Sequence, residues 1–220
     1  AIELNKPRDV VKMFYVLQIR PIVSLNDSSA IDFERIHQDN CIITANHALG
    51  NGLIKGITDF VYIKPMAFNP AKTRDIAELV GKINARFMDE NKNYILVGPG
   101  RWGSSDPWLG IPVKWPQISA ARVIIESGLE KYRIDPSQGT HFFQNLTSFG
   151  VGYFTINPFI KDGFYDLEFL EQQPVFYEDK YIKHIRFDQP LNIVIDGRKN
   201  RGMILKPGKQ VPLIKKGQSN

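Results

Sequence analysis

Hydrophobic positions along this chain fall mostly into short blocks of strand length, separated by glycine, proline and small polar residues. MFYVLQIRPIV (13–23), rich in β-branched and aromatic residues, predicts a strand, and SLNDSS (24–29) a polar boundary loop. CIITA (41–45) predicts a buried strand, HALGNGLIKG (47–56) a turn-rich connection and ITDFVYIKP (57–65) a further strand. One long block has a different period. Ile76, Leu79, Val80, Ile83 and Phe87 recur at helical spacing, so 70–90 predicts an amphipathic helix, with Asn69 as its cap and Pro70 in the first turn. YILV (94–97) and ARVIIE (121–126) predict strands, whereas prolines 99, 107, 112 and 116 exclude a regular helix from 98–117.

Asp135, Pro136 and Gln138 open a second predicted helix that runs to about Ser148. Strand patterns then return at VGYFTIN (151–157), KYIKHIRF (180–187), LNIVID (191–196) and RGMILKP (201–207). DGRKNRG between the last two predicts a hairpin turn, and KKGQSN a frayed tail. The expected fold class is α+β: mixed or antiparallel sheets, a few helices and a β-rich C-terminal third. The expected organisation is a terminal hairpin over 1–24, an α+β module over 30–208 and a flexible tail over 209–220.

Composition narrows the function classes. Of 220 residues, 43% are hydrophobic and 23% charged, which suits a globular protein with one good core. No apolar run reaches the roughly 18–20 residues of a membrane span, and AIELNKPRD is not a secretory signal. Cys41 is the single cysteine, which excludes an intramolecular disulfide and fits the cytoplasm. The start at Ala1 rather than Met fits a piece of a longer polypeptide. A net charge of +5 suits anionic ligands in general but makes no case for nucleic acid.

The N-terminal strand carries more specific chemistry. In YVLQIRP (15–21), Gln18 and Arg20 share one strand face. With Glu3 on a neighbouring strand, that face would offer a carboxylate, an amide and a guanidinium to a magnesium–phosphate ligand. The IEL segment at 2–4 followed by LQIR resembles the end of the ATP-grasp nucleotide domain of phosphoenolpyruvate synthase and pyruvate, phosphate dikinase. The resemblance covers about the first 23 residues. It implies metal-site roles for Glu3 and Gln18 and a phosphate contact for Arg20, with ATP and Mg²⁺ as cofactors of a parent protein. The rest of that parent polypeptide is then the partner. Residues 30–210 more loosely resemble the C-terminal region of large bacterial proteins that carry such a nucleotide domain. The shared segments are GPGRWG, WLGIPV and HFF-N. The family's glycine-rich lid, its phosphohistidine motif and its pyruvate-binding barrel are missing from this chain, and no certain cofactor follows for the chain alone. Phosphoryl transfer depends on positioning from several sides, so this chain by itself is not expected to make phosphoenolpyruvate.

GPGRWG (98–103) reads literally as the dinucleotide spelling G-x-G-x-x-G. That spelling requires a helix after Gly103, and the prolines behind it forbid one. A strand-end loop remains, in which the backbone N–H groups of Gly98, Gly100 and Gly103 form an expected anion nest. Arg101 and Ser104 would join it, with Asp106 as a candidate metal ligand. All three tryptophans, Trp102, Trp108 and Trp115, fall in the same region. Glu126 falls where a ribose-binding acid would, which without the helix reads as coincidence. The alternative is that the tryptophans hold a proline-rich loop in place and the glycines serve only its turns.

His141, in the first turns of the second predicted helix, is a candidate base, phosphate contact or phosphoryl acceptor. Asn145 lies one turn on. His37, His47 and His184 read as bland, and Cys41 as a small apolar residue. The leading expectation is the C-terminal portion of an ATP-dependent phosphotransferase that binds a small anionic, phosphorylated ligand at 98–106. The alternative is a non-catalytic interaction or structural module.

Overall fold

The computed structural model describes residues 31–130, 134, 145, 146 and 148–214. Within them the architecture is a mixed ten-stranded sheet with two bounded helices, the strand-rich α+β class that the periodicities predict. In chain order the elements begin with β1 (Cys41–Ala45), β2 (His47–Leu49), β3 (Asn51–Ile63), α1 (Thr73–Asp89) and β4 (Tyr94–Pro99). Short β5 (Arg101–Trp102) and β6 (Gly110–Ile111) pair only with each other. β7 (Ala121–Ser127), β8 (Gly152–Ile156), β9 (Phe164–Tyr165), α2 (Leu167–Glu171), β10 (Val175–Glu178), β11 (Ile182–Asp196) and β12 (Arg201–Leu205) complete the described fold.

β3, β4, β7 and β8 are adjacent, parallel and in sequence order. Their segments FVYI, YILV and VIIE are nearly continuous apolar runs because both faces are covered. On the far side of β3 the sheet turns antiparallel through β11, β12, β1 and β9, with β10 beside the first half of β11. The sheet curls strongly. Phe60, Ile95, Ile125, Phe154, Ile193 and Ile204, from strands on both flanks, meet in one inner core. Glycine permits the closest approaches. A Cβ at Gly202 of β12 would lie 2.4 Å from the Phe154 ring on β8, and one at Gly152 of β8 would lie 2.7 Å from Ile195 of β11.

The outer face of the parallel strands is covered by α1. Ile76, Ala77, Val80, Ile83 and Phe87 all point inward, and each large one contributes about 1.5–3 kcal/mol of burial. A 3₁₀ turn at Pro70–Lys72 precedes the helix, and Asn69 Oδ1 accepts from the Ala71 N–H. Buried Asn84 fastens α1 to the segment before β7. It donates to Pro116 O (2.9 Å) and accepts from the Ala120 N–H (2.9 Å) and Tyr94 Oη (3.2 Å).

Two local expectations are revised. Residues 47–56 are not a turn-rich connection but β2 and the start of β3, in which Gly50, Gly52 and Gly56 take positive φ as strand irregularities. The patterns at 180–187 and 191–196 belong to one strand, β11, whose register against β3 shifts between Arg186 and Ile193. The segment from 209 is held as far as 213: Asn192 Nδ2 donates to Lys209 O, and Leu213 bridges to Ile31. Among the described residues no helix is long and apolar enough to cross a membrane.

Candidate functional site

The C-terminal ends of β4, β7 and β8 meet the irregular loops at one edge of the sheet, the position where open α/β sheets usually place a ligand. GPGRWG lies there. After Gly98 and Pro99 end β4, Gly100 turns the chain at φ +77° and Arg101–Trp102 forms β5. The backbone donors of this loop are already engaged. Gly100 N–H donates to Ser127 O (3.1 Å), Arg101 N–H to Leu109 O (2.7 Å) and Gly103 N–H to Ile111 O (2.8 Å). Trp102 N–H donates to Glu126 Oε1 (3.0 Å).

The glycines answer to packing. A Cβ on Gly98 would stand 2.3 Å from the Trp102 ring, and one on Gly110 would stand 1.9 Å from Arg101 O. Trp102 is buried, and its indole N–H donates to Ile125 O (3.0 Å), so it acts as a peg. Trp115 stacks on Phe149, and Trp108 is exposed. The loop's own turns also use Ser104 and Asp106. Ser104 Oγ donates to Asp106 O and accepts from the Asp106 N–H, while Asp106 Oδ1 accepts from the Trp108 N–H. Among the described residues no three His, Cys, Asp or Glu side chains gather to hold a metal.

Beneath the loop lies a run of buried polar side chains: Glu126, Ser127, Thr155 and Asn157. Besides the Trp102 N–H, Glu126 accepts from the Tyr153 hydroxyl (2.6 Å), which in turn accepts from Thr155 Oγ1 (3.0 Å). Asn157 holds residue 134 through both its backbone groups, with Ile134 N–H donating to Oδ1 (2.8 Å) and Nδ2 donating to Ile134 O (3.0 Å). Glu126 is therefore a structural acceptor for the glycine-rich loop, a role its place at the end of an apolar strand did not signal. Arg101 differs from its neighbours. It is half-buried, and its guanidinium has no hydrogen-bond or ion-pair partner among the described residues.

Glu3, Gln18, Arg20 and His141 lie outside the described residues. Of the residues proposed from sequence, the structure brings together Gly98, Gly100, Arg101, Gly103, Ser104 and Asp106, all in the one strand-end loop.

A second polar cluster was not expected. His184 of β11 is buried between the rings of Phe87 and Phe176, and its Nε2 lies 2.7 Å from Asp59 Oδ1 on β3. Arg186 Nε donates to the same oxygen (2.7 Å), and Thr58 Oγ1 donates to Oδ2 (2.8 Å). Burial pushes the Asp59 carboxyl upward. The hydrogen bonds from His184, Arg186 and Thr58 outweigh that and hold it below the ordinary aspartate range. The signal in sequence is weak. His184 and Arg186 are alternate residues of a strand, but their common acceptor lies 125 and 127 residues away.

Comparison with protein-family models, with curated proteins and with solved structures gives no match.

Proposed function

We propose that this chain is the C-terminal portion of a phosphoenolpyruvate synthase-like, ATP-dependent phosphotransferase. Its α+β module binds a small phosphorylated anion at the C-terminal edge of the parallel strands. ATP and Mg²⁺ belong to the parent's nucleotide domain, on the resemblance of residues 1–23. The observation that supports the module's role is Arg101. Its N–H donates to Leu109 O beside β6, and its neighbours Gly100 and Trp102 donate to Ser127 and Glu126 of β7, yet its guanidinium has no internal acceptor among the described residues. A guanidinium so placed suits forked hydrogen bonding to phosphate oxygens. The contact comes from the side chain rather than from a backbone nest, because the loop N–H groups are spent.

Titration calorimetry with ATP, AMP, phosphoenolpyruvate and inorganic phosphate tests the reading, with tryptophan fluorescence followed in parallel. At least one ligand should bind with a fluorescence change from exposed Trp108. Arg101→Ala should abolish that binding at unchanged melting temperature. If no ligand binds at millimolar concentration, the anion site does not exist.

One observation favours the alternative of an interaction module without a ligand. Gly98, Gly100 and Gly110 are each explained by a close approach inside the loop. Under that reading, Arg101→Ala has no ligand phenotype.

A further inference from the structure

At the opposite edge of the parallel strands, β3 runs on beyond its neighbour. β4 begins only opposite Asp59, so residues 54–58 of β3 have no parallel strand beside them. The register of β3 against β11 also shifts on both sides of Ile57, and Gly56 takes φ +82° with nothing within 4 Å of where a Cβ would stand. Bulges of this kind re-aim side chains and recur next to ligand sites. The uncovered stretch forms one wall of a groove of about 320 Å³. Asn91, Lys92 and Asn93 of the α1–β4 turn and Arg122 at the start of β7 complete it.

The groove's chemistry is specific. Lys55, Lys92 and Arg122 bring three cations to it against one carboxylate, Asp59. Asp59 is buried, and both of its oxygens are committed to His184, Arg186 and Thr58. Lys55 is exposed and has no ion-pair partner among the described residues. Arg122 uses one Nη1 donor on Phe149 O (3.2 Å), which leaves most of its fork available. Lys92 leans on Glu90 (2.8 Å), a carboxylate outside the lining. Asn91, Asn93 and Thr58 add amide and hydroxyl groups; Asn93 Nδ2 donates to Ala120 O, and its Oδ1 remains free to accept among the described residues. The apolar part of the lining is Ile54 and Ile57, and among the described residues no aromatic ring joins it.

From this we infer that the groove between β3, the α1–β4 turn and Arg122 is a binding site for a small phosphorylated polyol of the sugar-phosphate class. Cations meet the phosphate, and the amides and hydroxyl meet the ligand's hydroxyl groups. The volume sits at the small end of ligand pockets, which start at about 300 Å³. It exceeds the needs of a bare phosphate. A nucleotide fits the lining poorly, because its described residues offer no ring on which a base would stack. The site is separate from the strand-end loop, and its existence does not depend on Arg101.

The test is a ¹H–¹⁵N spectrum of the full chain titrated with glucose 6-phosphate, and in parallel with inorganic phosphate and AMP. Glucose 6-phosphate should shift the backbone signals of Gly56 and Lys92 and the side-chain amide of Asn93. It should bind on the order of tenfold more tightly than inorganic phosphate, the ratio for about one added good contact. Lys55→Glu, at an exposed position where folding is unaffected, should remove the shifts. Arg122→Ala should weaken binding on the order of tenfold. Equal affinity for inorganic phosphate and glucose 6-phosphate, or tighter binding of AMP, overturns the assignment of class. Shifts confined to Trp102 and Gly103 overturn this site while supporting the strand-end reading.

Discussion

At the C-terminal edge of β4 and β7 the polar groups face one another; at the N-terminal edge of the same strands they line a groove. Glu126, Ser127, Thr155, Asn157 and the N–H groups of the glycine-rich loop are tied into the protein and shape an irregular segment without a helix. Lys55, Arg122 and the α1–β4 turn instead surround open volume. The pair of edges teaches that a glycine-rich loop behind a strand is not in itself a store of free donors. Whether donors are free depends on what the next segment offers them, and here Leu109 and Ile111 offer backbone carbonyls.

The largest expected effect comes from filling the loop. Gly110→Ala places a methyl within 1.9 Å of a backbone oxygen, where the obstacle is not a flexible side chain. It should cost about 4 kcal/mol in urea unfolding. A loss below about 1 kcal/mol would mean that the loop repacks freely, and the packing role assigned to its glycines would be wrong.

Asp59→Asn should have a smaller effect, about 2 kcal/mol, because His184 and Arg186 lose a shared charged acceptor. Its sign with pH is fixed. The folded carboxyl titrates below the ordinary value of about 3.9. Its contribution is therefore complete above that pH and fades as pH falls through the depressed folded value. The variant should show a flatter loss of stability on acidification. Parallel acid limbs for the two proteins would remove Asp59 from the account.

Smallest are the stability changes at the two proposed ligand contacts. Lys55→Ala and Arg101→Ala should each alter unfolding free energy by no more than about 0.5 kcal/mol, since neither side chain has an ion-pair partner among the described residues. A larger loss at either would mark that residue as structural and dissolve the contrast from its side.

Much of the fold was legible because the parallel strands and α1 are strongly periodic. YILV, ARVIIE and the 76–87 stripe declare buried strands and a one-sided helix whatever their neighbours are. Residues 47–56 misled because glycine promises turns. In a sheet curled this tightly, Gly50, Gly52 and Gly56 instead supply positive φ within or beside strands. The helix α2 escaped notice because five residues are too short for a period, although Asp166 caps it by accepting from the Phe169 N–H. In the glycine-rich loop the missing helix was predictable from the prolines, and the spent N–H groups were not. Those of Gly100 and Trp102 depend on Ser127 and Glu126, which the parallel pairing of β4 and β7 brings alongside, and those of Arg101 and Gly103 on Leu109 and Ile111. The Asp59–His184–Arg186 cluster was illegible for the same reason: its members meet only through long-range strand register.

That register also bears on how the chain leaves the ribosome. β3 takes β11 as its antiparallel partner along most of its length, yet Ile57 and its partner Leu191 are separated by more than a hundred residues of synthesis. At bacterial-to-eukaryotic translation speeds of about 5–20 residues per second, the wait is on the order of ten seconds. Throughout it, one long apolar edge of the nascent sheet has no cover of its own. A chaperone that shields extended apolar segments would have its natural moment here, before residues 182–196 emerge.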